Sequence, residues 1–276
     1  MVPEIDELRE QEERLRIVGL MSELSGLYAI WYREIKIFWR EKSRIISSII
    51  NPLMWLVIFG TGIGSSLMSS GSSSFLNGMS YQTFIYPGIL LMTTLFSSIF
   101  FGLYVVWDKR IDFLKEVLVA PLKRTTIFFG KVLGGATDSL IQSLILIALG
   151  FAFNIHYTIF SVFATIAMVF LITISVVSIG LAIGAFMSSP EGFGLVSSFV
   201  IFPIFFLSGA LFPVSHLPGW LSFFVSLNPM TYGVDALRGI ILGISTFGIM
   251  NDIAVIVAFD AVMAIIGTWA FKRMEM

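Results

Sequence analysis

The sequence predicts an all-α integral membrane protein with six transmembrane helices, and three observations carry that expectation. Only 13% of the 276 residues are charged while 57% are hydrophobic, with Phe alone contributing 27; a soluble domain carries about 25% charged residues. The mean hydropathy is +0.91, more apolar surface than one water-soluble core of this length can hide. Apolar stretches of about 20 residues, the length needed to cross a hydrocarbon core, recur along the chain. The Lys and Arg side chains collect between alternate stretches rather than mixing with them.

The first 26 residues form an acidic leader, expected on the cytoplasmic side. It is too charged to be a cleavable signal peptide, which opens with a short basic stretch and an apolar run. Residues 27–44 follow as an amphipathic helix expected to lie in the inner membrane interface. Leu27, Ile30, Trp31, Ile35 and Phe38 share one helical face, and Arg33, Lys36, Arg40 and Arg44 line another. Such a helix can simply anchor the first span, or act as a lever that also touches a cytoplasmic partner.

The six spans are expected at 45–67, 82–107, 127–152, 158–187, 192–212 and 252–271, within a transmembrane domain of residues 45–272. With both termini inside, sixteen of the 17 Lys and Arg residues fall on the cytoplasmic side and only Arg238 falls outside, as the positive-inside rule requires. The chain is therefore expected as a multi-pass protein of the cell (cytoplasmic) membrane. Between spans five and six, residues 213–248 hold Pro213, Pro218 and Pro229 among apolar runs too short to cross. Those runs suit outer re-entrant helices, whose backbone must be satisfied by protein or a wet cavity; a hydrophobic loop on the membrane surface is the alternative.

The cytoplasmic segment 108–126 contains a second amphipathic stretch. Ile111, Leu114, Leu118 and Leu122 make an apolar stripe beside Phe113, while Lys109, Asp112, Lys115, Glu116 and Lys123 are polar. Residue chemistry fits equally a helix that docks on a soluble partner and a solvated loop. Gly130, Gly134 and Gly135, and Gly180 and Gly184, are small residues of the kind that let helices approach closely. Asp138 and Asp260 lie inside expected spans with no buried cation to answer them. An ion-coupled secondary transporter would need them.

Several chemistries are excluded. No cysteine is present, so disulfides and thiolate metal sites are ruled out. No phosphate-cradling G-x-x-x-x-G-K-[ST] run occurs, so no nucleotide cofactor is expected on this chain. His156 and His216 lack the paired spacing of a zinc site. Ser208 has no histidine at matching depth to activate it. No basic patch interleaved with aromatics suits nucleic acid. The chain is expected not to be an enzyme.

Four stretches resemble the permeases of the ABC-2 exporter family, in the branch of drug-resistance and lipo-oligosaccharide exporters. They are Asn51-Pro-Leu-Met-Trp55 with Phe59-Gly60, Tyr86-Pro-Gly-Ile-Leu90, Lys115-Glu-Val-Leu-Val-Ala-Pro-Leu122 leading to Gly130-Lys131, and Leu207-Ser-Gly-Ala-Leu-Phe-Pro213 continuing through Leu217-Pro-Gly-Trp220, Asn228-Pro-Met-Thr-Tyr232 and Asp235-Ala-Leu-Arg238. The resemblance implies a permease that pairs with a second copy of itself or a paralogous permease and binds two ABC ATPase subunits, which hold ATP and Mg. It implies ATPase coupling by Lys109, Arg110, Ile111, Phe113, Leu114, Lys115, Glu116 and Leu118, with the interfacial helix (Trp31, Arg33, Lys36, Arg40) as a second contact. The substrate pathway would run past Met54, Trp55, Phe59, Phe199, Phe202 and Phe206. The outer gate would include Asn228, Pro229 and Arg238. Aromatic and Met side chains make an adaptable apolar lining, so the expected cargo is amphipathic: a drug, lipid or glycolipid.

Overall fold

In the computed structural model the described residues are 3–69, 78–119, 122–153, 155–215 and 217–274, with the side chains of 3–20, 44, 45, 48, 49, 67–69, 115, 116 and 118 left aside. They form α1 (Pro3–Arg40), α2 (Lys42–Met54), α3 (Gly60–Ser69), α4 (Tyr81–Phe101), α5 (Leu103–Arg110), α6 (Phe113–Val119), α7 (Arg124–Gly150), α8 (Ile159–Phe186), α9 (Pro190–Phe206), α10 (Gly219–Leu227), α11 (Pro229–Leu242) and α12 (Ile249–Arg273). No strand occurs among the described residues.

Among the described residues, four helical stretches are long and apolar enough to cross a membrane: Tyr81–Arg110, Arg124–Phe153, Ile159–Phe186 and Ile249–Arg273. They coincide closely with the expected second, third, fourth and sixth spans. The other two are represented by shorter apolar stretches, Ile50–Ser66 and Pro190–Phe206. The first of these belongs to a helix unbroken from Lys42 to Ser69 that loosens into a π turn at Trp55–Phe59. Pro52 lacks an N–H and so removes one rung of the ladder just before that turn. The second ends at Phe206, not at residue 212 as expected. Gly209 takes a left-handed conformation, φ 71°, and turns the chain back.

The N-terminal region also departs from expectation. One helix runs from Pro3 to Arg40, taking in the leader as well as the amphipathic segment, and the bend falls at Glu41 (φ −89°, ψ 71°) rather than after residue 44. The buried stripe of α1 is Ile30, Glu34 and Phe38, which are spaced four apart and face α7.

Helix starts follow their local chemistry. Ser80 Oγ accepts from Thr83 N at 3.1 Å, and Thr158 and Ser161 form a reciprocal capping box. Ser189 caps α9 ahead of Pro190, and Asn228 caps α11 ahead of Pro229. Helix α7 takes its N-terminal acceptor from elsewhere in the chain, since Lys123 N and Thr126 Oγ1 both donate to the Glu23 carboxylate of α1.

Helix α4 is the central post, buried along nearly its whole length and packed on α7, α8, α11 and α9. In lipid, where burial of apolar surface drives little association, close backbone approach and dispersion hold helices together. At Gly102 the chain passes so near Gly180 that a Cβ would overlap its carbonyl, and Gly184 meets Gly102 in the same way. Gly130 and Gly134 of α7 make the corresponding seat for Ile30 and Glu34 of α1. Replacing Gly102 with Ala should lower the thermal stability of the purified protein by about 1–3 kcal/mol, the usual range for overpacking. Gly62→Ala, whose Cβ meets nothing within 4 Å, is the control and should leave the unfolding temperature unchanged or slightly raised.

Candidate functional site

The charged end of the bundle is organised around Lys131, on the first turns of α7. Its ammonium is 2% exposed and donates to Glu34 Oε1 at 2.9 Å and to Asp108 Oδ2 at 2.7 Å. Arg33 closes the cluster, with Nη2 at 2.6 Å from Asp108 Oδ1 and Nη1 at 2.9 Å from Glu34 Oε1. Two cations and two carboxylates from α1, α5 and α7 thus neutralise one another in a site nearly closed to water. Burial works to lower the Arg33 pKa, but the Asp108 and Glu34 carboxylates outweigh it and hold the guanidinium above its ordinary value. The sequence suggests a basic face for Arg33 and no buried cation in the spans. Both expectations are corrected: Arg33 is turned inward, and Lys131 and Arg238 are buried. Glu34 and Asp108 carried no visible signal beyond being carboxylates beside apolar neighbours.

The short helix α6 hangs beneath this cluster. The Phe113 ring lies 3.9 Å from the Arg33 guanidinium carbon, a cation–π stack in a partly desolvated setting. A turn through Asp112 (φ 57°) brings α6 back under α1, and Leu114 is buried with Ile30, Val105 and Ile127. Leu114 and Phe113 therefore secure α6 to the protein itself, which corrects the expectation that the whole Ile111–Leu114–Leu118–Leu122 stripe is free to dock. Leu122 is half-buried against Gly26. Ile111 and Val119 are the outward apolar side chains, 66% and 83% exposed. The side chains of Lys115, Glu116 and Leu118 lie outside the described residues.

Lys109 and Arg110 do not join that face. Lys109 Nζ donates to the carbonyls of Gly184, Ala185 and Met187, closing the end of α8. Arg110 points the same way, with Glu191 Oε2 at 4.0 Å. Of the other α1 residues, Trp31 Nε1 donates to Thr137 Oγ1 of α7 at 3.0 Å. Lys36 lies over the Tyr32 ring at 4.4 Å, and Arg40 is exposed. The outward face of α1 carries the exposed rings of Tyr28, Tyr32 and Trp39.

The expected pathway residues come together on one side of the bundle. Trp55 stacks on Phe59 at 4.3 Å and meets Phe205 edge-on at 6.3 Å. Phe205, Phe206 and Phe202 continue the ring contacts along α9. Met54, Phe59, Phe199, Phe202 and Phe206 are 52%, 37%, 80%, 47% and 47% exposed. Phe205, buried behind them, was not foreseen, although its place between Phe202 and Phe206 could have shown it. Next to this face a cavity of about 200 Å³ opens between α2 and α4, lined by Thr93, Phe96, Ser97 and Phe100 along one face of α4 together with Asn51 and Gln142. Behind it runs a ladder of buried hydroxyls, in which Ser139 lies 2.8 Å from both Ser97 and Ser98 and Thr94 lies 3.2 Å from Ser143.

At the far end, Asn228 fixes the junction of α10 and α11: its Oδ1 accepts from Met230 N at 3.1 Å and its Nδ2 donates to Ile204 O at 2.7 Å. Pro229 supplies the first residue of α11. Arg238 is 4% exposed, donates to Gly209 O at 3.0 Å and lies 4.3 Å from the centre of the Phe84 ring. Asn228 and Arg238 thus hold α11 to the turn that ends α9. Asp235 gathers Ser245 Oγ and the backbone N–H groups of Thr246 and Phe247. Within the bundle, Asp138 accepts from Gln142 Nε2 at 2.6 Å, one turn along its own helix, and Asp260 lies against Ser175 of α8. The two aspartates sit on different helices, α7 and α12.

Removing one member of the buried cluster leaves uncompensated charge. Lys131→Met should destabilise the purified protein by about 3–5 kcal/mol, read as a fall in thermal unfolding temperature in detergent. Adding Glu34→Gln and Asp108→Asn to that variant should recover part of the loss. A Lys131→Met protein as stable as wild type would show that the cluster does not hold α1 to α7.

A family model described as ABC-2 type transporter matches residues 25–242. The chain is 32% identical to the transport permease ycf38 of Porphyra purpurea, over 72% of this chain and 68% of that protein. It is 28% identical to the inner membrane transport permease YadH of Escherichia coli K12, over 85% and 90%, and 26% identical to nodulation protein J of Rhizobium meliloti, over 94% and 98%. With α1 from Gly26 onward, the ion cluster, α6 and the Asn228–Arg238 region all inside the matched residues, this multi-pass membrane protein belongs to the ABC-2 type transporter family, the membrane subunits of ABC transporters.

Proposed function

We propose that the chain is the permease of an exporter driven by ATP that a separate partner hydrolyses, and that it moves an amphipathic drug, lipid or glycolipid outward. The observation that carries this reading is the suspension of α6. A seven-residue helix at the charged end leaves Val119 bare, as is Ile111 in the turn just before it, yet it is stacked through Phe113 onto an ion cluster that joins α1, α5 and α7. A push on α6 therefore reaches two spans and the interfacial helix together, which is what a coupling helix must do. The nucleotide and its Mg belong to the partner, and two such ATPase subunits serve a pair of permeases.

The segregation of basic residues supports a cytoplasmic charged end, with both termini inside. Helices α2–α3 then make the first span, since an unbroken run from Lys42 to Ser69 reaches about 40 Å at 1.5 Å per residue. Helix α9 makes the fifth span. Helices α10 and α11 dip back from the outer side, and α11 is buried among α4, α8 and α12, the kind of protein surround that a re-entrant helix requires. The exposed aromatic face made by the Trp55–Phe59 turn and α9 supports a homodimer or a pair with a paralogue, with the cargo passing between the two copies. The Tyr28, Tyr32 and Trp39 rings support seating α1 among lipid headgroups.

Affinity capture of the tagged chain from its native membranes should recover a P-loop ATPase in equal amount. Ile111→Asp combined with Val119→Asp should weaken that association by about tenfold or more, a difference of 1.4 kcal/mol, while leaving helix content and detergent elution unchanged. Full association in that variant would overturn the assignment of α6. Asp138→Asn with Asp260→Asn should retain ATP-driven transport; its loss, with the ATPase absent from the captured material, would favour an ion-coupled secondary transporter.

A further inference from the structure

We infer that the chain holds one anionic phospholipid of the charged-end leaflet at a fixed site between α5, α8 and α12, remote from the aromatic pathway. Three helix ends converge there. Lys109 and Arg110 end α5, Ala185 and Phe186 end α8 with Met187 and Ser188 following, and Arg273 ends α12, around an open pocket of about 620 Å³. That volume is within the range of sites for small organic ligands, about 300–1,000 Å³.

The charge at this pocket is arranged for a phosphodiester. A carbonyl end of a helix carries partial negative charge, and here Lys109 satisfies the last carbonyls of α8, which leaves Arg110 and Arg273 as the further cations lining the pocket. Arg110 Nη2 lies 4.0 Å from Glu191, 79% exposed, an ion pair that water screens heavily. The N-terminus of α9, capped by Ser189, adds a positive dipole end beside the same turn. Planar guanidinium groups bind phosphate oxygens in pairs, and a flexible ammonium does this less well.

The surroundings identify the phosphate as that of a lipid. Arg273 lies 4.8 Å from the centre of the Trp269 ring, and Trp269 in turn meets Phe186 at 5.9 Å. Both rings are about half exposed, at 47% and 52%, at the ends of apolar helices, the position of an interfacial aromatic belt. Trp269 also lines a mainly apolar groove of about 350 Å³ between α7 and α12, together with Phe129, Ala264, Ile265 and Thr268, and Lys272 lies at the same groove. The path from cationic pocket past Trp269 to apolar groove matches a headgroup and its acyl chain. A free phosphate or nucleotide would use the first and ignore the second. Basic pockets between helices at the cytoplasmic side are a recognised way of holding anionic lipid headgroups. Helix α12 packs on α8, α11 and α7, and the pocket lining includes none of Met54, Trp55, Phe59, Phe199, Phe202 and Phe206. Its occupant is a resident lipid and not the cargo.

The test is native mass spectrometry of the delipidated full chain, titrated in detergent with dioleoylphosphatidylglycerol, with dioleoylphosphatidylcholine, and with inorganic phosphate. The wild type should retain one phosphatidylglycerol with at least about tenfold preference over phosphatidylcholine. Arg110→Gln with Arg273→Gln should lose that preference, and Trp269→Leu should weaken binding of both lipids. Arg40→Gln, which removes a charge from the exposed end of α1, should change nothing. Equal binding of the two lipids by wild type, or an unaltered preference in the double variant, would overturn the assignment. Displacement of phosphatidylglycerol by millimolar phosphate would show an anion site and overturn the lipid. If the double variant fails to fold, the wild-type preference and the single variants Arg110→Gln and Arg273→Gln decide the matter. None of these measurements needs the ATPase or transport, so failure here leaves the exporter reading standing.

Discussion

A single constraint shapes the charged end of this protein: the ammonium of Lys131 is enclosed, and a lone cation there would be prohibitively costly. Its two carboxylates come from different elements, Glu34 on α1 and Asp108 on α5, so three helices must converge within hydrogen-bond range of one nitrogen. That convergence in turn requires α1 to sit flush on α7, and Gly130 and Gly134 provide the flat surface that permits it. Glu23 then finds itself above the start of α7, where it supplies the acceptor for Lys123 N that the local sequence does not. The electrostatic requirement and the steric permission are complementary, and neither alone would place α1.

The same cluster ties the short helix α6 to the spans. Helix α6 has only seven residues and no stability of its own; its position comes from Leu114 in the core below and Phe113 stacked on Arg33. Because Arg33 is bonded to both carboxylates, α6 is one rigid step from Lys131 and thus from α7. The aromatic face of Trp55, Phe59 and α9 packs on α4, through contacts such as Phe96 with Phe202, and α4 is itself buried along its length. At the Gly102–Gly180 crossing the backbones of α4–α5 and α8 touch with no side chain between them.

Residues that look equivalent as letters do quite different physical work. Arg33 and Lys131 are neutralised inside an ion cluster, Lys109 closes the carbonyl end of α8, and Arg238 is spent on Gly209 O and the Phe84 ring. Arg110 and Arg273 are directed to the pocket behind Phe186 and Trp269. A count of basic residues gives sidedness, since that depends on their sum. It gives no role, since a role depends on what each side chain meets.

The long helices were legible because their signal is local: an apolar run of bilayer length reads the same in any fold, and the ends of Tyr81–Arg110 and Ile159–Phe186 fall close to where composition changes. The resemblance implied a common face for Trp55, Phe59, Phe202 and Phe206, and the ring contacts of Trp55 with Phe59 and Phe205, and of Phe202 with Phe206, link these side chains. What the tertiary structure alone decided was direction. Leu114 and Ile111 belong to one amphipathic stripe, yet one is buried and the other exposed, because α6 turns back under α1 at Asp112. Glu34 lies between apolar neighbours on α1 and looks like an unpaired charge until α7 brings Lys131 to it. The early end of α9 at Phe206 depends on Gly209 and on Arg238 reaching back to its carbonyl. Length and hydropathy fix which segments enter the membrane, since the bilayer tests each segment separately. Partners of buried charges, and the faces left open, are set by contacts between residues far apart in the chain.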